Sequence, residues 1–350
     1  MKPALFPPLL LTALLAAGSP ASAQDVPPAP APPSSVQPSP TSPPQDAAPQ
    51  PPATPAIPAS PQDAPTAPPL LPELPEALRF AHPLGEAFLF LPAACAPSCS
   101  LVVVSHSRGM TADLSLTRPH LRAIYARLLG AGFAVLVSND AGPTTWGAPQ
   151  ALTYLAEMRA RAIQSFAFSG RTYNFGYSMG GLPALLTAYL PVYPVSGVML
   201  LDAEVNLTDV WTGPNATFRA DMSAAYDLPS GAPLPRARDP YNDFATPEAA
   251  RLPILVVGSA EDRVVPFARN GEALFARTTS PQSRIVRLTG PHLGGTHFGP
   301  ALVDEMLAFL AGLEPARKAV PETPAAPVTP GPSPAAPGPA TPGPPGEEGR

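Results

Sequence analysis

The stretch Arg171-Thr-Tyr-Asn-Phe-Gly-Tyr-Ser-Met-Gly-Gly-Leu-Pro-Ala-Leu-Leu-Thr-Ala-Tyr-Leu190 joins a short β-like run to a helix-like apolar run through a single serine. At its centre, Gly176-Tyr177-Ser178-Met179-Gly180 has the pattern G-x-S-x-G. In such an elbow a strand turns so sharply into a helix that the serine is strained and its hydroxyl projects alone. Glycines two places before and after keep side chains out of the crowded turn. The first N–H groups of the following helix then face whatever negative charge develops beside the hydroxyl. A chance match of so short a pattern is common, so the strand before it and the helix after it carry the weight.

Working outward, composition divides the chain. It has 350 residues, of which 56 are proline, yet 45% are hydrophobic and only 13% charged. Residues 24–77 and 315–350 are dominated by Pro, Ala, Ser, Thr and Gln, with almost no aromatic residues. Such segments cannot bury enough apolar surface to offset chain entropy, and they read as disordered, extended spacers. Residues 78–314 are long enough for one well-buried domain. The net charge of -5 and a lysine complement limited to Lys2 and Lys318 leave no basic patch for nucleic acid.

At the N-terminus, Lys2 precedes an apolar run at 5–17 and the small residues Ala21-Ser22-Ala23. The run is short for a bilayer span, and the sequence predicts a signal peptide, residues 1–23, cleaved after Ala23. The mature chain is then expected to carry no transmembrane segment and to be secreted, periplasmic or in the cell envelope. The proline-rich arms suggest association with cell-wall material. An exported chain with two cysteines, Cys95 and Cys99, predicts a disulfide that pins a turn and contributes about 2 kcal/mol. A C-x-x-x-C pair without further Cys or nearby His gives no reason to expect a metal.

The central region alternates strand and helix patterns. Strands are expected at 86–91, 101–106, 133–137, 173–177, 195–201, 253–258 and 284–288. Helices are expected at 118–129, 148–166, 182–190, 269–277 and 300–313. Alternation of this kind means βαβ crossovers and an α/β fold with a mainly parallel sheet covered by helices on both faces. Ligands in such sheets bind beyond the carboxyl ends of the strands.

A serine hydroxyl needs a histidine to take its proton and a carboxylate to orient that histidine. Five histidines are available. His82 and His120 read as surface or packing residues and His106 as a loop-shaping one. His292 and His297 share the glycine-rich loop 290–299 before the last helix. The reading takes His297, which sits between small residues just ahead of that helix, with His292 as the alternative. The acid is Asp262, after an apolar strand, so that Ser, Asp and His come in the order this elbow expects. Its rivals are Asp202 with Glu204, Glu261 and Asp140, the last read as a pocket or turn residue. The oxyanion donors are the N–H of Met179 and one from the loop after the earlier strand, at Ser107 or Arg108.

Ser178 in Gly-Tyr-Ser-Met-Gly-Gly, Asp262 in Glu-Asp-Arg-Val-Val-Pro and the histidine before the last helix together resemble the α/β-hydrolase superfamily over roughly 78–314. The likeness is to exported esterase- or lipase-like members, or to dienelactone-hydrolase-like ones. Two departures stand out: His106 is followed by Ser107, with glycine delayed to Gly109, and Asp262 comes one residue later after its glycine than is common. The resemblance implies hydrolysis of an ester, thioester or peptide bond through an acyl-enzyme; a small-molecule or lipid ester is the substrate expected here, and no cofactor or metal is implied. It also implies a cap insertion at 202–252 and a substrate pocket drawing on Trp146, Trp211 and Phe298. The alternatives it leaves are a cell-envelope peptidase or acyltransferase, in which Glu204 or Asp221 would hold a substrate amine, and a catalytically silent binding module.

Overall fold

The computed structural model describes residues 72–229 and 231–315. The signal-peptide reading and nearly all of both proline-rich arms fall outside them. Eight strands form one sheet: β1 (Leu78–Phe80), β2 (Ala87–Phe90), β3 (Cys99–Ser105), β4 (Ala134–Val137), β5 (Phe168–Tyr177), β6 (Gly197–Leu201), β7 (Ile254–Ser259) and β8 (Arg284–Leu288). Their order is β1-β2-β4-β3-β5-β6-β7-β8. The pairs β1–β2 and β2–β4 are antiparallel. All later neighbours are parallel.

The helices are α1 (Ala112–Leu116), α2 (Pro119–Gly130), α3 (Pro149–Ile163), α4 (Gly181–Tyr189), α5 (Leu207–Thr212), α6 (Ala216–Tyr226), α7 (Pro240–Asp243), α8 (Pro247–Ala250), α9 (Gly271–Phe275) and α10 (Pro300–Leu313). The two-residue period of the strands divides them between faces. Val102 and Val104 of β3 pack with Leu121, Ile124 and Leu128 of α2 and with Met306 and Phe309 of α10. Leu101 and Val103 face the other way, onto Tyr154, Leu155 and Met158 of α3. Val198, Leu200, Ile254 and Val256 meet Ala184 and Leu185 of α4 and Leu274 of α9. Burial on both faces is why these strands read as continuous apolar runs. This is the α/β, mainly parallel, doubly covered sheet expected from the alternation.

Several elements differ from those expected, and α5, α6, α7 and α8 fill the 202–252 insertion, for which no helix was expected. β1 and α1 were not anticipated, being 3 and 5 residues long and too short to show a period. α1 starts at Thr111, whose side chain accepts the Leu114 N–H at 3.2 Å. β5 begins at Phe168, five residues before the expected start, because Phe168 pairs with Cys99 across a register shift. Cys95 and Cys99 are joined in a disulfide that closes the turn leading into β3. Among the described residues no helix is long and apolar enough to cross a membrane.

Because β4 and β5 flank β3 on opposite sides, the connections leaving β3 and β5 diverge at the carboxyl end of the sheet. A crevice opens at such a switch point. The loops after β3, β5, β6, β7 and β8 all end there, and they carry the polar residues singled out above.

Candidate active site

β5 runs straight into a 3-10 turn at Ser178–Gly180 and then into α4. Ser178 takes φ 53, a left-handed conformation that costs a non-glycine residue about 1–2 kcal/mol. The two glycines of the motif are steric necessities. A Cβ on Gly176 would lie 2.2 Å from the Gly180 carbonyl oxygen, and one on Gly180 would lie 2.3 Å from that of Ser105. The elbow is therefore wedged against the end of β3. Ser178 itself is 7% exposed.

The Ser178 hydroxyl meets Nε2 of His292 at 2.9 Å, and Nδ1 of His292 meets Oδ2 of Asp262 at 2.6 Å. With Nδ1 donating to the carboxylate, Nε2 is left as the acceptor for the serine proton. The other oxygen of Asp262 accepts the N–H groups of Val264 and Val265 at 2.8 and 2.9 Å, which fixes the carboxylate in orientation.

The histidine expectation is corrected by this geometry. His297 does not approach Ser178. It is fully buried, with Nδ1 2.6 Å from Oδ2 of Asp202 and Nε2 donating to the Thr289 carbonyl at 3.0 Å. The reason is local: Leu293 takes φ 49, and the 3-10 turn Gly295–Phe298 follows at once. That reversal sends the residue before it toward the serine and the one inside the turn toward the end of β6. Asp202, the rival acid, holds the second histidine rather than the first.

The loop after β3 is clamped from β4. Asp140 is fully buried at φ 48, accepting the His106 N–H at 2.9 Å and the Ser105 hydroxyl at 3.2 Å. The His106 ring sits between the carbonyls of Ser107 and Asn139, at 2.9 and 3.1 Å. Asp140 and His106 thus shape the loop that carries Ser107 and Arg108. Met179 opens the turn after the serine, so its N–H is among the donors that helix geometry leaves without an intrahelical acceptor. Arg108 reaches out of the same loop to Asp221 of α6 at 2.5 Å and lies over the Phe218 ring, 5.3 Å from its centroid.

The expected pocket residues separate. Trp146 is buried with Met179, Leu182 and Met222, and Trp211, Phe218 and Tyr226 pack on that cluster. α5 and α6 therefore close over the residue next to the serine. Phe298 joins the opposite layer, packing tilted against His120 and edge-to-face on Tyr177 at centroid distances of 4.4 and 6.1 Å. Its reading as a pocket residue is corrected to packing, because the turn that buries His297 directs it toward α2. A depression of about 600 Å³ lined by Ala260, Glu261, Arg263, Val264, Pro291 and His292 opens beside the histidine.

One ligand-type atom from each of Asp202, Asp262 and His292 lies within 4.8 Å of the others. Both ring nitrogens of His292 are already committed to Ser178 and Asp262. Glu204, whose N–H donates to the Ser178 carbonyl at 2.9 Å, is buried, and burial pushes its carboxyl from the usual 4.5 up to about 8. The folded value exceeds the unfolded one, so the native state holds an extra proton between those limits. This group's contribution to stability is full in acid and is lost as pH rises through about 8. Glu204→Gln is accordingly expected to raise Tm above that of the wild type at pH 9 by on the order of 5 °C, with little difference at pH 5. Equal melting curves at pH 9 would refute the assignment.

The sheet order, the strained serine after β5 and the positions of the acid and histidine loops define an α/β-hydrolase fold. No protein-family model matches the chain, and no curated protein sequence does. Among solved structures, a fluorophosphonate-binding serine hydrolase of Staphylococcus aureus is similar at a TM-score of 0.54 and 15% identity, over 67% of this chain and 97% of that one. Carboxyl esterase 2 of the mycorrhizal fungus Tuber melanosporum is similar at 0.51 and 15%, over 68% and 87%. An S-formylglutathione hydrolase of Staphylococcus aureus is similar at 0.51 and 16%, over 67% and 98%. At these identities the likeness is one of fold.

Proposed function

We propose that this protein is an exported serine esterase acting through Ser178, His292 and Asp262. The observation that carries the reading is the hydrogen-bonded chain of 2.9 and 2.6 Å from hydroxyl to imidazole to carboxylate. In this reaction Ser178 Oγ attacks the ester carbonyl as its proton passes to Nε2 of His292, and Asp262 stabilises the imidazolium through Nδ1–H. The tetrahedral oxyanion is held by the N–H of Met179 and one from Ser107 or Arg108. Collapse expels the alcohol, protonated by His292, and leaves an acyl-Ser178. Water activated by the same histidine then releases the acid.

An ester is favoured over a peptide with a free amine by the state of the two candidate amine-binding acids. Asp221 is engaged by Arg108, and Glu204 is buried with its proton retained near neutral pH. The closed packing of α5 and α6 on Met179 fits a small-molecule or short lipid ester better than a polymer. Export, with cleavage after Ala23, is part of the reading, and the Cys95–Cys99 bridge suits an oxidising compartment. We place wall association with the proline-rich arms. Mass measurement of the exported chain tests the first point: a protein starting at Met1 would refute it.

The enzymatic test is labelling of the full-length mature protein with a fluorophosphonate probe, together with turnover of p-nitrophenyl acetate and butyrate. The expected result is a single adduct on Ser178, and loss of both label and turnover in Ser178→Ala. A well-folded wild-type protein that takes no label would overturn the reading in favour of a silent binding module.

A further inference from the structure

The Asp202–His297 pair has no part in the proton transfers just described, yet both side chains are fully buried. Apart from the bond between the two, its side-chain hydrogen bonds all fall on the loop that carries His292. Oδ2 of Asp202 accepts the N–H of Leu293 at 2.8 Å, directly after His292, and meets Nδ1 of His297 at 2.6 Å. Nε2 of His297 donates to the carbonyl of Thr289, where the chain leaves β8. Three points of the loop at 289, 293 and 297 thus converge on one carboxylate and one ring.

Besides this pair the loop is anchored by Leu293 and Phe298 against the core and by the bonds of His292 to Ser178 and Asp262. Gly290, Gly294, Gly295 and Gly299 contribute no side chains, and ordering such a backbone is entropically costly. Leu293 adds a left-handed residue at φ 49. Meanwhile Oδ1 of Asp202 is buried without a hydrogen-bond partner, and burial raises the proton affinity of this carboxyl. A carboxylate kept at such cost is not explained by packing alone.

We propose that Asp202 and His297 are positioning residues, which hold the 289–297 loop so that Nε2 of His292 stays within hydrogen-bond reach of the Ser178 hydroxyl. The proposal rests on the esterase reading for its kinetic consequence. Displacement of a catalytic group by about 1 Å costs roughly a hundredfold in rate. His297→Leu removes both ring contacts. His297→Asn keeps an amide nitrogen where Nδ1 stood and so retains the contact with Asp202.

The test uses the full mature chain with a fluorophosphonate probe, p-nitrophenyl butyrate and proton NMR of the low-field imidazole region. In His297→Leu we expect kcat to fall roughly 10- to 100-fold with KM within about twofold of wild type, and Ser178 labelling to slow by the same factor. His297→Asn is expected to recover most of the rate. Should His297→Leu fail to unfold cooperatively, His297→Gln carries the test, since its amide can still reach the Thr289 carbonyl but vacates the Nδ1 position that meets Asp202; a loss of about tenfold or more is expected there. Wild-type labelling and kcat in a folded His297→Leu or His297→Gln would overturn the proposal.

The NMR arm separates this outcome from failure of the esterase reading. The low-field Nδ1–H of His292 against Asp262, identified by its loss in His292→Asn, is expected in wild type and His297→Asn and absent or broadened in His297→Leu. If that pattern holds while wild-type Ser178 takes no label, the positioning stands and the esterase reading fails. If the resonance is unchanged in His297→Leu, the positioning fails.

Discussion

His292→Ala is expected to lower kcat for activated short-chain esters by about ten-thousand-fold or more, while thermal stability changes little. The histidine is mostly buried at the edge of the crevice, with a side chain 13% exposed, so truncating it widens the crevice and leaves no sealed cavity. Its removal leaves the Ser178 hydroxyl without a base and Asp262 without the ring it orients. Fluorophosphonate labelling should fall in parallel, because the probe reports the nucleophile and not the acyl group. His297 variants are expected to lose far less, since that ring never meets the hydroxyl. The discriminating outcome is their order: if His297→Asn were inactive and His292→Ala active, the assignment made from the 2.9 Å contact would be wrong.

The second large effect concerns the elbow itself. Gly180→Ala is expected to destabilise the fold by about 3 kcal/mol or more and to lower Tm by roughly 6–12 °C. An added Cβ would lie 2.3 Å from the Ser105 carbonyl oxygen and 2.8 Å from that of His106. Both are main-chain atoms, so no side-chain rotation relieves the clash. Either the elbow or the end of β3 must move, and moving either displaces the N–H groups proposed to hold the oxyanion. Labelling of Ser178 should therefore slow even in the fraction that folds. Gly130→Ala is the control: a methyl there meets nothing within 4 Å, and Tm should hold or rise. A Gly180→Ala protein with wild-type Tm would show that the elbow is not wedged against β3 as described.

The alternation of apolar runs with helical patterns was enough to specify a mainly parallel α/β sheet, because strands buried on both faces advertise themselves as unbroken Val-Leu-Ile runs. Ser178 was legible because the elbow's geometry demands glycines at two fixed offsets. Asp262, at a strand end before a turn, was legible as a candidate, and only its meeting with a particular histidine was not.

What the chain could not reveal by itself was which of two histidines, five residues apart in a glycine-rich loop, turns toward the serine. That choice depends on the left-handed φ of Leu293 and on Asp202, which lies some ninety residues earlier and reaches the loop only once β6 and β8 stand on either side of β7. The same holds for Phe298, sent into the α2 layer by the turn that buries His297, and for Arg108, whose partner Asp221 belongs to α6. Local steric rules and hydrophobic period act over a few residues and so can be read along the chain. Side-chain direction in a loop is set by contacts between segments distant in sequence, and only the folded arrangement decides it.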